Sequence, residues 1–126
     1  MIGTSRSVRV FARPAPTDLR KGYNGLFALV RDELKRDPLS GDLFLFVNGR
    51  RTGCKVLLWD GTGLCIFMKR LEEGRFAALW RDGDADVLRL TSTELSLFIE
   101  GCELVGRRAL SPTAIRLKPI ATDPAA

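Results

Sequence analysis

The chain has 126 residues, of which 45% are hydrophobic, and its formal net charge is +5. This length suits one domain with one core, and the mild basic excess is compatible with nucleic acid or an acidic protein as partner. No apolar run reaches the roughly 18 to 20 residues of a membrane-spanning helix, and residues 1–12 lack a signal-peptide pattern, so we expect a cytoplasmic protein.

Residue types that are missing exclude several kinds of active site. The sequence contains no histidine, which excludes triads with an imidazole base and His-containing zinc or iron sites. Cys54, Cys65 and Cys102 form no CxxC pair, and no glycine-rich phosphate-binding signature occurs. We therefore predict no catalytic residues, no metal and no cofactor.

The first third of the chain predicts a strand and then an amphipathic helix. Residues 8–12 alternate as in a strand, which ends at Pro14 because proline lacks a backbone donor. Pro38 ends the helix, since the residue before a proline is disfavoured in the α conformation. The apolar stripe that should be buried on this helix consists of Tyr23, Leu26, Phe27, Val30 and Leu34.

Three short apolar runs in the middle of the chain predict an antiparallel β-meander. They occupy residues 43–47, 54–59 and 64–68, and Asn-Gly and Asp-Gly turn dipeptides separate them. The runs are apolar on both faces, whereas a sheet with one face in water would alternate apolar and polar residues. We expect the helix to cover one face, and another part of the chain or a second protein to cover the other.

The last third predicts two short strands and a second helix. The strands are residues 76–80 and 87–90, and the Asp-rich turn between them lacks the glutamate that closes a calcium loop. A capping box formed by Thr91 and Glu94 opens a helix, and Gly101 ends it.

These elements predict an α+β fold: an antiparallel β-meander sheet packed against one N-terminal and one C-terminal helix. Residues 1–104 are expected to form this single domain. Residues 105–126 are basic, contain prolines and show no periodicity, so we expect a flexible tail.

Basic residues cluster at the entry to the first helix and near the strand turns. Hairpin tips that carry arginine can follow a phosphate backbone, and a helix N-terminus adds backbone donors. The alternative is a solvated surface whose edge charges prevent aggregation. The candidate nucleic-acid-binding residues are Arg20, Lys21, Arg50, Arg51, Lys55, Lys69, Arg70 and Arg75.

Four segments in fixed order carry a family resemblance: PTDLRKG at 16–22, DPLSGDLFLF at 37–46, LWDGTG at 58–63 and KRLEEGRF at 69–76. With them, the chain from about residue 8 to 103 resembles the Orf2-like (TnpB) accessory protein of bacterial insertion sequences of the insertion sequence 66 type. The resemblance implies a non-catalytic role in transposition beside a separate, larger transposase. Its implied partners are the transposase, other proteins of the element, and DNA.

Three functions remain open from the sequence. The first is an accessory module that binds DNA or the transposase and helps to assemble the transposition complex. The second is a protein-interaction or self-associating module, a homo-oligomer without nucleic-acid contact. The third is a small metal-dependent nuclease that uses acids such as Asp18 and Asp60, although both also fit a structural role in turns.

Overall fold

A mixed sheet of five strands carries one helix on each face in the computed structural model, which describes residues 7–80 and 87–101. The strands are β1 (Val10–Ala12), β2 (Leu43–Val47), β3 (Gly53–Trp59), β4 (Leu64–Arg70) and β5 (Leu88–Leu90). The helices are α1 (Tyr23–Ala28), which continues as a π-helical turn (Leu29–Glu33), and α2 (Ser92–Ile99). The predicted α+β fold with an N-terminal and a C-terminal helix is confirmed.

The strand order is β4-β3-β2-β1-β5. β2, β3 and β4 form the predicted antiparallel meander. β1 departs from the all-antiparallel expectation, because it pairs parallel to β2, with Val10 opposite Leu43, while its other edge pairs antiparallel to β5. The helix between β1 and β2 carries the chain back to the end of the sheet where β1 began, which makes this pair parallel.

α1 and its π-helical continuation cover one face of the sheet, as predicted. Leu26, Val30 and Leu34 are buried there against a cluster that includes Phe44 and Phe46. The prediction that Tyr23 is buried is wrong: this residue is 53% exposed. Tyr23 is the first residue of α1 and lies one turn before the buried Leu26.

The other face is covered by α2 together with residues 76–80. Phe76 and Phe98 stack there with ring centroids 4.8 Å apart. The predicted strand at 76–80 is wrong, because these residues form no ladder, and the Phe76 amide donates instead to the Arg51 carbonyl at 2.7 Å. The apolar spacing that indicated a strand reflects the burial of Phe76 and Leu79 in the core.

The predicted start and end of the second helix are both confirmed. The Thr91 side chain accepts from the Glu94 amide at 3.0 Å, and the Glu94 carboxylate accepts from the Thr91 amide at 2.8 Å. Gly101 follows the helix with φ +96°, a conformation that favours glycine. The Asp-rich turn and the predicted tail from 105 lie outside the described residues.

Neither α1 nor α2 is long and apolar enough to cross a membrane. Residues 7–80 and 87–101 also contain no group of three or more Cys, Asp or Glu side chains placed to hold a metal ion.

Candidate nucleic-acid interface

A groove opens at the end of the sheet where the parallel strands β1 and β2 both finish. The chain after β1 is joined to the end of β2 by a hydrogen bond from the Thr17 amide to the Val47 carbonyl at 2.8 Å. Ligands commonly bind beyond the carboxyl ends of parallel strands, because the loops that follow them diverge there. The groove encloses about 720 Å³ and is lined by Thr17, Asp18, Leu19, Arg20, Asn48, Gly49, Arg50 and Thr52.

Asn48 fixes the loop that forms one wall of this groove. Its side-chain oxygen accepts from the amides of Thr52 at 2.9 Å and Gly53 at 3.1 Å. Arg51 adopts φ +62°, a left-handed conformation that non-glycine residues rarely adopt. The loop therefore turns sharply and leaves Arg50 exposed at its tip.

Asp18 and Arg20 also line the groove, and they bind each other. Arg20 Nη2 lies 2.7 Å from Asp18 Oδ2, and the Arg20 amide donates to Asp18 Oδ1 at 3.0 Å. These two kinds of hydrogen bond hold the pKa of the Asp18 carboxyl well below its ordinary value. The Arg20 side chain is nevertheless 91% exposed, so the pair orients its guanidinium without removing it from solvent.

Four of the eight predicted binding residues lie at this end of the molecule. Arg20 and Arg50 line the groove, and Lys21 follows Arg20 at the approach to α1. Lys55 on β3 reaches the same loop, because its Nζ donates to the Lys21 carbonyl at 2.9 Å.

The other four predicted binding residues are not brought together with this group. Arg51 Nη1 donates inward to the Phe76 carbonyl at 3.3 Å, and Lys69 Nζ donates to the Ile99 carbonyl at the end of α2 at 2.8 Å. Arg70 forms an exposed ion pair with Glu72, with Nη2 and Oε2 3.3 Å apart. Arg75 is exposed directly before the buried Phe76.

Asp60 lies away from the groove, in the turn between β3 and β4. Its Oδ1 accepts from the amides of Thr62 and Gly63, both at 2.9 Å, as expected for a turn-capping residue. These backbone hydrogen bonds lower the pKa of the Asp60 carboxyl to about 2. Asp60 and Asp18 therefore stand in separate turns, and each is held ionised by its local hydrogen bonds.

A second basic group was missed by sequence reasoning. The guanidinium carbons of Arg9, Arg36 and Arg89 lie 5.4, 4.4 and 5.5 Å from the centroid of the Phe11 ring. These residues come from three separate parts of the chain, so only the fold brings them together. The one local signal is that Arg9, the residue directly before β1, and Phe11 are two positions apart, which favours one face for both.

Comparison with known proteins supplies the family. The model of the family described as IS66 Orf2 like protein matches residues 8–109. The uncharacterized protein y4jC of Sinorhizobium fredii (strain NBRC 101917 / NGR234) is 36% identical over 121 residues, which cover 95% of this chain and 94% of that protein. The uncharacterized protein y4hO of the same strain is 34% identical over 103 residues, 82% of this chain and 88% of that protein.

No solved structure matches the chain. The family match covers most of the sequence, including both walls of the groove and all five strands. The chain therefore belongs to the IS66 Orf2-like family, which associates it with the transposition of bacterial insertion sequences.

Proposed function

We propose that this protein is a non-catalytic accessory factor of transposition that binds DNA through the groove between residues 17–21 and 48–52. The observation that carries the proposal is that Arg20 and Arg50 both line one open cavity. Planar guanidinium groups form paired hydrogen bonds to phosphate oxygens, which suits them to a nucleic-acid backbone. Lys21 and Lys55 add positive charge beside the same groove.

Salt dependence is the property that should reveal this mode of binding. Each phosphate neutralised by a protein cation releases counterions, so the logarithm of the affinity falls with the logarithm of salt concentration with a slope of about 0.9 per phosphate. Contacts limited to phosphates would give weak preference for sequence. We expect binding in the cytoplasm, where the element's DNA and transposase are found together.

The surroundings of the two candidate acids, Asp18 and Asp60, support the proposed lack of catalysis. A nuclease of this size would need carboxylates that share a metal or exchange a proton, but Asp18 is engaged by Arg20 and Asp60 by the amides of its own turn. Both carboxyls have lowered pKa values, which makes each of them a poor proton donor near neutral pH.

Charge removal in the groove tests the proposal. We expect the double variant Arg20→Gln/Arg50→Gln to bind duplex DNA more weakly than the wild type. The slope of its affinity against salt concentration should be smaller by the amount that about two phosphate contacts contribute. Arg31→Gln is the matched control, because Arg31 is exposed and paired with a neighbouring aspartate, as Arg20 is, but lies on the π-helical turn and does not line the groove. Equal affinities and slopes for the groove variant and the wild type would contradict the proposal.

The transposase is the second proposed partner. Co-purification of the tagged chain with the element's transposase, with and without duplex DNA from the ends of the element, tests this part. Recovery that requires DNA would indicate assembly through the groove, whereas recovery without DNA would indicate direct protein contact.

A second candidate function, self-association, is favoured by the exposed strand β4. This strand is at the end of the described sheet, and it carries Phe67, which is 46% exposed, and Met68, which is 66% exposed. An open strand edge with apolar side chains pairs readily with another strand. The occupant we propose is β4 of a second copy, in an antiparallel pair centred on Phe67.

Apolar side chains support a second copy at this edge. In the pair centred on Phe67, the exposed Phe67 side chains of the two copies lie opposite each other.

Light scattering of the purified protein tests self-association. Phe67→Lys would place two ammonium groups opposite each other at the centre of the pair, so we expect it to convert a dimer into a monomer. Tyr23→Lys alters an exposed aromatic residue on α1 and should leave the dimer intact. A wild-type protein that is monomeric at every concentration tested would exclude this candidate.

A further inference from the structure

Three arginines lie around one buried aromatic ring, Phe11, on the face of the sheet that α1 covers. Phe11 is 2% exposed and stacks on Phe44, with ring centroids 5.9 Å apart. Arg36 comes from the segment after the π-helical turn, Arg89 is opposite Phe11 on β5, and Arg9 is two residues away on the same chain. We call Arg9, Arg36 and Arg89 the Phe11 arginine cluster.

The cluster carries positive charge that described acidic residues do not balance. Arg9 Nη2 is paired with Asp42 Oδ2 at 2.9 Å. Arg36 and Arg89 are exposed, and neither forms an ion pair with any acid in residues 7–80 and 87–101. The electron-rich ring face of Phe11 attracts guanidinium groups but offsets only part of their mutual repulsion. A bound anion would remove that repulsion.

The cluster and the groove lie toward opposite ends of the parallel strands β1 and β2. The Arg9 carbonyl accepts from the Leu43 amide at 2.9 Å, and the Thr17 amide donates to the Val47 carbonyl at 2.8 Å. These two hydrogen bonds lie at the two ends of β2, which are about 13 Å apart at 3.3 Å per residue. Between them, Arg13 is paired with Glu33 of the π-helical turn at 2.9 Å.

We propose that the Phe11 arginine cluster binds a backbone phosphate of the same DNA duplex that occupies the groove. This proposal rests on the proposed function and adds a second contact that no part of it requires. Successive phosphates lie at about 3.4 Å of helix rise along each strand of a duplex, so a duplex bound at the groove can present another phosphate to the cluster.

Two single substitutions test the second contact. Arg36→Gln and Arg89→Gln each remove one charge, and we expect each to lower duplex affinity about tenfold at low salt and to reduce the salt slope by about 0.9. Arg31→Gln removes one charge from a guanidinium that also lies over an aromatic ring, 5.7 Å from the Phe27 centroid, and should change neither quantity. Arg36→Lys keeps the charge and should retain the slope, which separates phosphate contact from packing on Phe11.

A probe that does not depend on DNA separates failure of this inference from failure of the proposed function. Inorganic pyrophosphate added to the ¹⁵N-labelled protein should shift the amide signals of residues 9–11 and 88–90, and Arg36→Gln combined with Arg89→Gln should abolish these shifts. If duplex binds but the single variants match the wild type, the inference is overturned and the groove stands. If duplex does not bind, the proposed function fails, and an absence of pyrophosphate shifts would then exclude the cluster as an anion site as well.

Discussion

Arg9 and Asp42 join the parallel strands β1 and β2 at two points. The Arg9 amide donates to Asp42 Oδ1 at 3.1 Å, and Arg9 Nη2 donates to Asp42 Oδ2 at 2.9 Å. The Asp42 side chain is 2% exposed, and Ser40 also donates to it at 3.0 Å. Burial opposes ionisation of this carboxyl, but the hydrogen bonds from Arg9 and Ser40 outweigh it, so the pKa of Asp42 lies below its ordinary value.

Asp42→Asn should therefore destabilise the protein in a pH-dependent way. At neutral pH we expect the free energy of unfolding to fall by about 1 to 3 kcal/mol, because charge-assisted hydrogen bonds to a buried group are lost. A lowered pKa stabilises the fold above the ordinary aspartate range, and this contribution disappears as the pH falls through the folded-state pKa. Urea unfolding at pH 7 and at about pH 3 checks this prediction. The difference in unfolding free energy between Asp42→Asn and the wild type should be smaller at the acidic pH.

Asp32→Asn is the control for that measurement. Asp32 forms an exposed ion pair with Arg31, which typically contributes little to stability. A loss in Asp32→Asn as large as in Asp42→Asn would contradict the account of the β1–β2 junction.

The capping box of α2 is the second feature with a predictable energy. Thr91→Ala removes the side-chain acceptor of the Glu94 amide, and such a loss costs about 1 kcal/mol of unfolding free energy. Glu94→Gln keeps a side-chain acceptor for the Thr91 amide and should cost less than Thr91→Ala. Chemical denaturation of the two variants decides the point, and the reverse order would count against a reciprocal cap.

Phe76 tests the conclusion that residues 76–80 form core without forming a strand. Its ring is fully buried and stacked on Phe98. We expect Phe76→Ala to lower the free energy of unfolding by about 3 to 5 kcal/mol, the usual cost of deleting a buried aromatic ring. Ala78→Gly, at an exposed neighbouring position, should cost far less in the same thermal or urea unfolding experiment. A small effect at Phe76 would mean that this segment is not part of the core.

Cys54 should make stability fall in alkaline solution. Burial raises the pKa of its thiol to about 11 from an ordinary 9.0, although Lys69 nearby acts in the opposite direction. An unfolded chain therefore ionises this thiol first, so the free energy of unfolding falls between pH 9 and pH 11, by about 2 to 3 kcal/mol at most. The unfolding free energy of Cys54→Ala should fall less than that of the wild type over this pH range. An identical pH dependence for the two proteins would refute the raised pKa of the Cys54 thiol.

The local parts of the fold could be predicted because short-range chemistry determines them. Asparagine and aspartate before glycine mark the two meander turns, and the structure shows side-chain oxygens of Asn48 and Asp60 accepting turn amides. Thr91 and Glu94 mark the start of α2 in the same way. Each of these devices lies within a few residues and is therefore readable from the sequence alone.

The non-local parts could not be predicted from such signals. The insertion of β1 between β2 and β5 depends on contacts between distant segments, and a three-residue strand has too little pattern to indicate its neighbours. Residues 76–80 have the apolar content of a strand, but the Phe76 amide bonds to the turn at Arg51. Composition indicates burial there and does not distinguish a strand from an irregular segment.

The candidate site also has features that could be predicted from the sequence and features that could not. Arg20 and Arg50 could be chosen from the sequence because both stand at turns, but their position in the lining of one groove follows from the parallel pairing of β1 and β2. Lys69 and Arg51 were also candidates, yet both donate to backbone carbonyls inside the fold. Arg36 and Arg89 could not be chosen, because only the fold brings them to Phe11.

The central claim is that this protein acts by holding DNA in the groove. The most direct test is to record amide NMR spectra of the ¹⁵N-labelled protein while unlabelled duplex DNA from the element's ends is added. We predict that the largest shifts occur at residues 17–21 and 48–52 and that they diminish as salt is raised. Shifts confined to β4, or no shifts at low salt, would contradict the claim.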